Sequence, residues 1–509
     1  MIPSRFLRSI PLVCFVALSL STCAGPPRES GTRPPSVLMI LVDDLGWQDL
    51  GPASQVAPDG KHAHFRTPNV DRLAREGTLF TQAYAAAPVC TPTRVSLLTG
   101  QMPARHHATY WTLLRGKDQS NDHPRLVAPS WSVDGLSADA PTLADRLQAR
   151  GYRTIHVGKA HFGAQGTEAA DPRQLGFAFN VAGHAAGGPG SYYAKHHFKD
   201  SLRDGKPEAD SVWNVPDLEA WWDSDAYLTE ALAEEARRQL HGALASGEPF
   251  YLSFCPYAVH APLMVNPRYA DHYAGMDPRE VAYATMVEGV DAAVGVLLRE
   301  LEDAGRLDDT LVIYASDNGG LSATARGGTL HTHNTPLRSG KGSAYEGGIR
   351  VPTIVRWPQV AGAGVRDALP IVTMDLTATI LDATGCAPLP HLDGISLIPE
   401  LQGDPQAHPP RPLFWHMPHL WGPQGPGLEP FTALRDGDLK LIFFHDSPPD
   451  APRLELYDLV ADPGEQHDLA AERPADVGRL AREMGVIARA VGAQPSRRKP
   501  DLVDVAWPR

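Results

Sequence analysis

Ser36-Val37-Leu38-Met39-Ile40-Leu41-Val42-Asp43-Asp44 is apolar without interruption, rich in branched residues, and ends on two carboxylates. A strand with one wet face alternates apolar and polar residues. This run does not alternate, so it reads as a strand buried on both faces, the pattern of a parallel strand covered by helices. Further strands are predicted at 154–157, 249–255, 310–315 and 351–355. Helices are predicted between them at 68–75, with Asn69 as its cap, and at 140–149, 225–244, 278–304 and 373–383. Val290, Val294, Leu297 and Leu301 recur at helical spacing and mark the buried face of the long helix. The alternation to about residue 400 predicts an α/β fold, a large doubly wound and mainly parallel sheet.

After a linker-like stretch at 403–411 the pattern changes. Strands at 413–416, 431–435 and 439–444, with Asp436-Gly437 as a hairpin turn, predict a small C-terminal α+β subdomain with an antiparallel sheet, closed by a helix at 474–491. The chain therefore divides into 1–23, a signal peptide; 24–36, a flexible tether; 37–403, a catalytic α/β domain; and 404–509, the C-terminal subdomain.

Composition narrows the class. The 509 residues are 43% hydrophobic and 21% charged, as in soluble globular proteins. A formal net charge of −13 argues against general affinity for nucleic acid or anionic membranes. An acidic chain that handles an anion must concentrate positive charge locally. Arg5 and Arg8 precede an apolar run at 10–20 that is too short to span a bilayer and fits a secretory signal. Leu20-Ser21-Thr22-Cys23 looks like a bacterial lipobox, with Thr22 unusual before the cysteine. Export to the bacterial periplasm or cell surface is expected, with a lipid anchor on Cys23 favoured over plain cleavage. The Pro-, Gly- and Ser-rich residues 24–36 form the tether. No later segment is expected to be long and apolar enough to cross a membrane. Of five cysteines, Cys14 and Cys23 belong to the leader, and Cys90, Cys255 and Cys386 form neither a disulfide framework nor a zinc-type spacing. Cys255 and Cys386 read as core residues.

Every candidate for chemistry lies at the carboxyl end of a predicted strand or in the loop after it, where open α/β sheets bind ligands. Asp43 and Asp44 follow the first strand, and Asp317-Asn318-Gly319-Gly320 follows a later one; such oxygens suit a hard cation such as Ca²⁺, although each pair alone also reads as a turn. Lys159 and His161 follow another strand, His260 a fourth, and Lys341 stands between Gly340 and Gly342. Cations at matching strand ends would surround an anionic group. Gly342 follows Lys341 where a phosphate-binding loop needs Ser or Thr, so a nucleotide site is rejected. Cys90-Thr91-Pro92-Thr93-Arg94 opens an apolar run read as a helix, with Pro92 in its first turn. An anion on residue 90 would be stabilised by the helix start and by Arg94. His106-His107, His196-His197 and His331-x-His333 read as exposed loop histidines. Residues 163–215 look like an irregular insertion that shapes a binding site. Its Tyr192 and Tyr193, with Trp221 and Trp222, serve either as a sugar platform or as lid packing.

The order of these elements resembles the type I, formylglycine-dependent sulfatases of the alkaline phosphatase superfamily. It runs Asp43-Asp44, Cys90-x-Pro92-x-Arg94, Gly158-Lys159-x-His161, His260-x-Pro262, Asp317-Asn318-Gly319, Lys341, then Glu346-Gly347-Gly348-Ile349-Arg350-Val351-Pro352. The ending, Leu434 to Leu441 and Glu455 to Leu459, is also similar to that family. The resemblance implies that a maturation enzyme oxidises Cys90 to formylglycine, whose hydrate attacks sulfur. It implies one Ca²⁺ held by Asp43, Asp44, residue 90, Asp317 and Asn318. Arg94, Lys159, His161, His260 and Lys341 would be catalytic, Lys159, His260 and Lys341 clamping the sulfate. His260 or Lys341 would protonate the leaving alcohol, and His161 would act as base when the covalent sulfate ester is eliminated. The implied substrate is a sulfated small molecule or saccharide, cut by exo-removal of sulfate. The rival expectations are a phosphonate or phosphate ester hydrolase of the same superfamily and an inactive exported calcium-binding protein with this fold. Ala160 departs from the family, which usually has a large aromatic there, and is expected to widen the pocket or change its stacking surface.

Overall fold

The computed structural model describes residues 34–508 apart from 52, 56–63, 200–210, 322–333, 405–407, 423–424 and 449. The leader, most of the tether, and His331 and His333 lie outside the described residues.

Strand β1 (Ser36–Val42) is buried along its whole length because both of its faces are covered. Leu38, Ile40 and Val42 point into one apolar core, and Val37, Met39 and Leu41 into another. It lies inside an eight-stranded sheet with β2 (Thr78–Phe80), β3 (Arg153–Gly158), β4 (Phe179–Val181), β5 (Phe250–Cys255), β6 (Thr310–Ser316), β7 (Thr353–Arg356) and β8 (Val365–Asp367), in the order β8-β2-β7-β6-β1-β5-β3-β4. All neighbours run parallel except β7, which is antiparallel to both β6 and β2. The sheet is thus mainly parallel, with one reversed strand.

The first core is closed by α1 (Pro68–Glu76), α4 (Leu228–Ser246) and α5 (Pro278–Asp303). The second is closed by α2 (Cys90–Thr99), α3 (Leu143–Ala149) and α6 (Thr373–Ala383). Helix α5 corrects the expectation that no later segment could cross a membrane: its length and composition suffice. Yet 78% of its most apolar window is buried in the protein, which identifies it as a core helix. Asn69 is not the cap of α1. Thr67 holds that position, Pro68 begins the helix, and the carboxylate of Asp291 on α5 accepts from the Asn69 and Val70 amides at 2.9 and 2.8 Å. The free N–H groups of one helix start are therefore satisfied from a neighbouring helix.

A second, four-stranded antiparallel sheet follows: β9 (Leu413–Met417), β10 (Phe431–Asp436), β11 (Leu439–Phe444) and β12 (Arg453–Asp458), in that order. Gly437, at φ 59°, turns the β10–β11 hairpin. One face buries Trp415, Ala433, Ile442 and Tyr457 against Tyr84, Val89, Tyr110 and Ile349 of the α/β region. The other buries Phe414, Leu434, Leu441 and Phe443 beneath α7 (Pro474–Val491). Residues 35–509 form one compact unit.

Two buried histidines cross-link this second sheet. His416 and His445 share the Thr432 hydroxyl at 2.8 and 2.9 Å, and their other ring nitrogens meet the Gln494 carbonyl and the Ser496 hydroxyl. Burial pushes His416 down to about 4, from an ordinary value near 6.5, and holds His445 well below that ordinary value as well. A depressed folded-state pKa means that neutral burial stabilises the fold fully above the unfolded value. That stabilisation is lost as pH falls from 6.5 towards 4. Nitrogen NMR at pH 5 is therefore expected to show His416 still neutral, with the urea midpoint already lower than at pH 7. A ring that titrates at its ordinary value would refute the account.

Candidate active site

The parallel register brings four strand ends together. Val42 pairs with Ser316, Ile40 with Phe254, and Gly158 with Cys255, so the loops after β1, β3, β5 and β6 open at one sheet edge. Asp43-Asp44, Lys159 to His161, His260 and Asp317-Asn318 therefore converge. Asp44 and His161, at φ 56° and 55°, adopt the left-handed backbone that bulky residues seldom take, which marks local strain at the convergence. The other two parts come from outside the sheet. Cys90 begins α2 after an extended Val89, and Arg94 follows one turn later on the same helix. The loop with Lys341 is pinned by backbone bonds from Lys341 to the Gly320 carbonyl, 3.0 Å, and from Gly342 to the Pro88 carbonyl, 2.8 Å. It is thereby fastened beside both Asn318 and Cys90.

Three carboxylates and three fixed cations meet there, all buried. Lys159 Nζ donates to both oxygens of Asp43 at 2.7 Å. Lys341 Nζ lies 2.7 and 2.9 Å from the oxygens of Asp44. Arg94 Nε donates to Asp317 at 2.8 Å, and its Nη1 to the Lys159 carbonyl at 2.8 Å. Burial alone would raise every carboxyl. At Asp44 the fields of Lys341, His260 and Lys159 overcome it and hold the group below the usual carboxylate range. Arg94 and Lys159 do the same for Asp317. At Asp43 burial wins, reinforced by Asp317 and Asp44, and the carboxyl is raised.

The donor set fits a hard cation. One oxygen each of Asp43, Asp44 and Asp317 lies within 4.8 Å of the others. Asn318 donates its amide N–H to Asp44 at 2.8 Å, and its Oδ1 is buried with no hydrogen-bond partner. Four hard oxygens, one of them otherwise orphaned, match the preference of calcium or magnesium over softer metals. Because the three cations already balance the three carboxylates, a divalent ion would leave the site positive, as an anionic substrate requires.

Both site histidines have their tautomer set by a carbonyl, which can only accept. His161 Nε2 lies 2.8 Å from the Thr112 carbonyl, so it carries the proton and the buried Nδ1 presents a lone pair without a partner. A side chain on Gly187 would come within 2.4 Å of that ring, so glycine lets the 163–215 insertion close over it. His260 Nδ1 donates to the Ala261 carbonyl at 2.7 Å, and Nε2 lies 3.8 Å from Asp44. Burial, aided by Lys341, pushes His260 down to about 3.

These groups floor a pocket of about 330 Å³. All the expected site residues, Asp43, Asp44, Cys90, Arg94, Lys159, His161, His260, Asp317, Asn318 and Lys341, are brought together in this one region. Of the accessory expectations, lid packing rather than a sugar platform holds for Tyr192, Trp221 and Trp222, and His106 and His196 differ from expectation. Ala160 is fully buried in the second core and is absent from the pocket lining. Tyr192 is buried, donating to the Tyr257 and His260 carbonyls at 2.8 Å each, so it supports the His260 loop from behind. Trp221 and Trp222 pack half-buried against the first core. His106 and His196 are half-buried rather than exposed, held by Ser96 and Ser191. The aromatic residues that line the pocket are Trp111, Trp213 and Trp421. They lie in irregular loops with no periodic pattern around them, so local sequence carries no signal that would single them out.

Comparison with known proteins agrees with this geometry. The family model described as sulfatase matches residues 35–386, and that described as N-sulphoglucosamine sulphohydrolase, C-terminal, matches 340–484. Human arylsulfatase A is 32% identical over 476 residues, covering 86% of this chain and 83% of the relative. N-acetylgalactosamine-6-sulfatase of Canis lupus familiaris is 32% identical over 415 residues, covering 78% and 72%. Among solved structures, Ps i-CgsB in complex with k-i-k-neocarrahexaose superposes with a TM-score of 0.73 at 26% identity, covering 90% of this chain and 93% of that one.

Proposed function

Because this chain belongs to the sulfatase family, we propose that it hydrolyses the sulfate ester of a saccharide to an alcohol and inorganic sulfate. The observation that carries the reading is the buried set of three carboxylates and three cations, whose Lys341 reaches the lining of a pocket that also holds Cys90, His161 and His260. Support for a saccharide comes from the similarity to N-acetylgalactosamine-6-sulfatase and from the solved complex of Ps i-CgsB with k-i-k-neocarrahexaose.

Asp43, Asp44, Asp317, Asn318 and residue 90 would hold the calcium ion, and Cys90 would be the residue converted to formylglycine. Bound there, the ion supplies positive charge towards the sulfate oxygens, and the oxidised residue 90 supplies the nucleophilic oxygen. Arg94 orients Asp317 and adds its charge at the start of α2. Lys159, Lys341 and His260 clamp the sulfate and stabilise the charge that develops on its oxygens. His260 Nε2 or Lys341 Nζ supplies the proton for the departing alcohol, both lying on the pocket lining. His161 Nδ1, with its lone pair free, accepts a proton from residue 90. Export through residues 1–23, with lipid on Cys23, belongs to the same proposal.

The test is made on protein from its native source or co-produced with the maturing enzyme. The peptide carrying residue 90 is expected to have the mass of formylglycine. p-Nitrophenyl sulfate should be cleaved at least about tenfold faster than bis-p-nitrophenyl phosphate, and chelation should abolish the activity until calcium is restored. Faster cleavage of the phosphorus ester would overturn the sulfatase reading in favour of a phosphate ester hydrolase. Unmodified Cys90 with full activity would remove the proposed nucleophile.

A further inference from the structure

The pocket has two chemically distinct ends. The floor holds Lys341, His260 and His161 around Cys90, whereas the wall is made of Trp111, Trp213 and Trp421 with the amides of Gln119 and Asn121. The three tryptophans come from separate parts of the chain and are all half-buried, with ring surface left to the cavity. Trp421 sits beside Lys341: a side chain on Gly342 would come within 2.5 Å of its indole. Asn121 is tied to the same residue, its amide donating to the Trp421 carbonyl. Among the described residues, Lys341 is the one Lys or Arg on the lining. A neighbouring cleft of about 210 Å³ shares Asn121 and carries Asp118 and Asp122, the latter paired with Lys499.

Resting on the sulfatase reading, we propose that the site selects a saccharide unit with one sulfate and no other negative charge, a monosulfated neutral pyranose. The single sulfate occupies the floor, beside Lys341, His260 and His161. A second sulfate or a carboxylate would meet indole faces and neutral amides, where a desolvated, unpaired anion is costly. Asp118 and the acidic balance of the whole chain oppose it further. A neutral pyranose fits the same wall. Its C–H face, slightly positive, suits the negative face of an indole, and its hydroxyls suit the two amides. The volume is at the lower end of the roughly 300–1,000 Å³ of ligand pockets, which favours a single ring over an internal stretch of polymer.

The test measures binding separately from turnover. Cys90→Ala protein loaded with calcium, or Cys90→Ser if the first does not fold, is titrated calorimetrically with the 2-, 3-, 4- and 6-monosulfates of galactose, with the 3-, 4- and 6-monosulfates of N-acetylglucosamine, and with disulfates of both sugars. The best monosulfate is expected to bind at least about tenfold more tightly than the best disulfate. Asn121→Arg should narrow that gap by tightening the disulfates. A disulfate bound equally well or better, or no monosulfate bound, overturns the proposal. Turnover of p-nitrophenyl sulfate by the matured wild-type protein is read alongside. Its absence strikes the sulfatase reading, whereas a wrong binding preference with that turnover intact strikes only the selectivity proposed here.

Discussion

Replacing Cys90 by alanine is expected to lower sulfate-ester turnover by about 10⁴-fold or more, because it removes the nucleophilic atom rather than one of its supports. The fold should survive. Cys90 is 3% exposed, and its side chain faces the pocket at the start of α2. Losing one small buried group there costs on the order of 1 kcal/mol. The cation site should survive as well, since Asp44, Asp317 and Asn318 hold one another, and Lys159 holds Asp43, through bonds that do not involve residue 90. The measurement is turnover together with a calcium-dependent shift of the melting temperature. Lost turnover with a retained shift is the expected result; near-normal turnover would sink the mechanism. Cys90→Ser should at most form a stalled ester, so repeated turnover by that variant would count against release through an oxidised residue.

Replacing Lys440 by alanine should produce the largest loss of stability, about 3–5 kcal/mol. Its ammonium is fully buried on β11 between Glu346, 3.0 Å away, and Glu465, 2.9 Å away. Glu346 also accepts from the Tyr84 hydroxyl at 2.7 Å, and its own amide donates to Glu465 at 2.6 Å. Without Lys440 two buried carboxylates face each other with no ammonium between them. Burial and the nearness of Glu346 already push Glu465 up to about 7, against the pull of Lys440. In the variant Glu465 rises further, so the deficit should be small near pH 5 and grow as pH rises through 7, when an uncompensated carboxylate must ionise. Lys440→Met with Glu465→Gln should recover much of the loss, because the pair is then replaced rather than broken. The urea midpoint at pH 6 and pH 8 decides the matter; a loss under about 1 kcal/mol at pH 8 would contradict the account. Activity should fall too. Glu346 opens the turn whose Gly348 carbonyl accepts from the Gly319 amide, next to Asn318. The antiparallel sheet thus braces the cation site from behind.

Much of the pocket floor and of the charged cluster behind it was legible in the sequence. Asp43-Asp44, Lys159, His161, His260 and Asp317-Asn318 each follow a run read as a strand, and parallel strands of one sheet present such ends on a common edge. Cys90 and Arg94 were legible from a proline-bearing helix start. Lys341 had weaker local support, lying in a glycine-rich loop, and only its order among the other elements identified it. The wall of the pocket was not legible. Trp111, Trp213 and Trp421 stand in loops, whereas Trp221, Trp222 and Tyr192, equally plausible in sequence, pack elsewhere. Ala160 likewise is buried in the second core rather than on the wall.

The sequence by itself determined the α/β order, the two-faced burial of β1 and the acids and bases at the strand ends, because hydrophobic periodicity and strand-end position are local properties. Tertiary structure alone decided three things: that Asp291 caps α1 from another helix, that Lys440 is locked between Glu346 and Glu465, and that three distant tryptophans share one wall. Each depends on contacts between residues far apart in the chain, and no local pattern encodes which distant side chain will fill a given space once the core has closed.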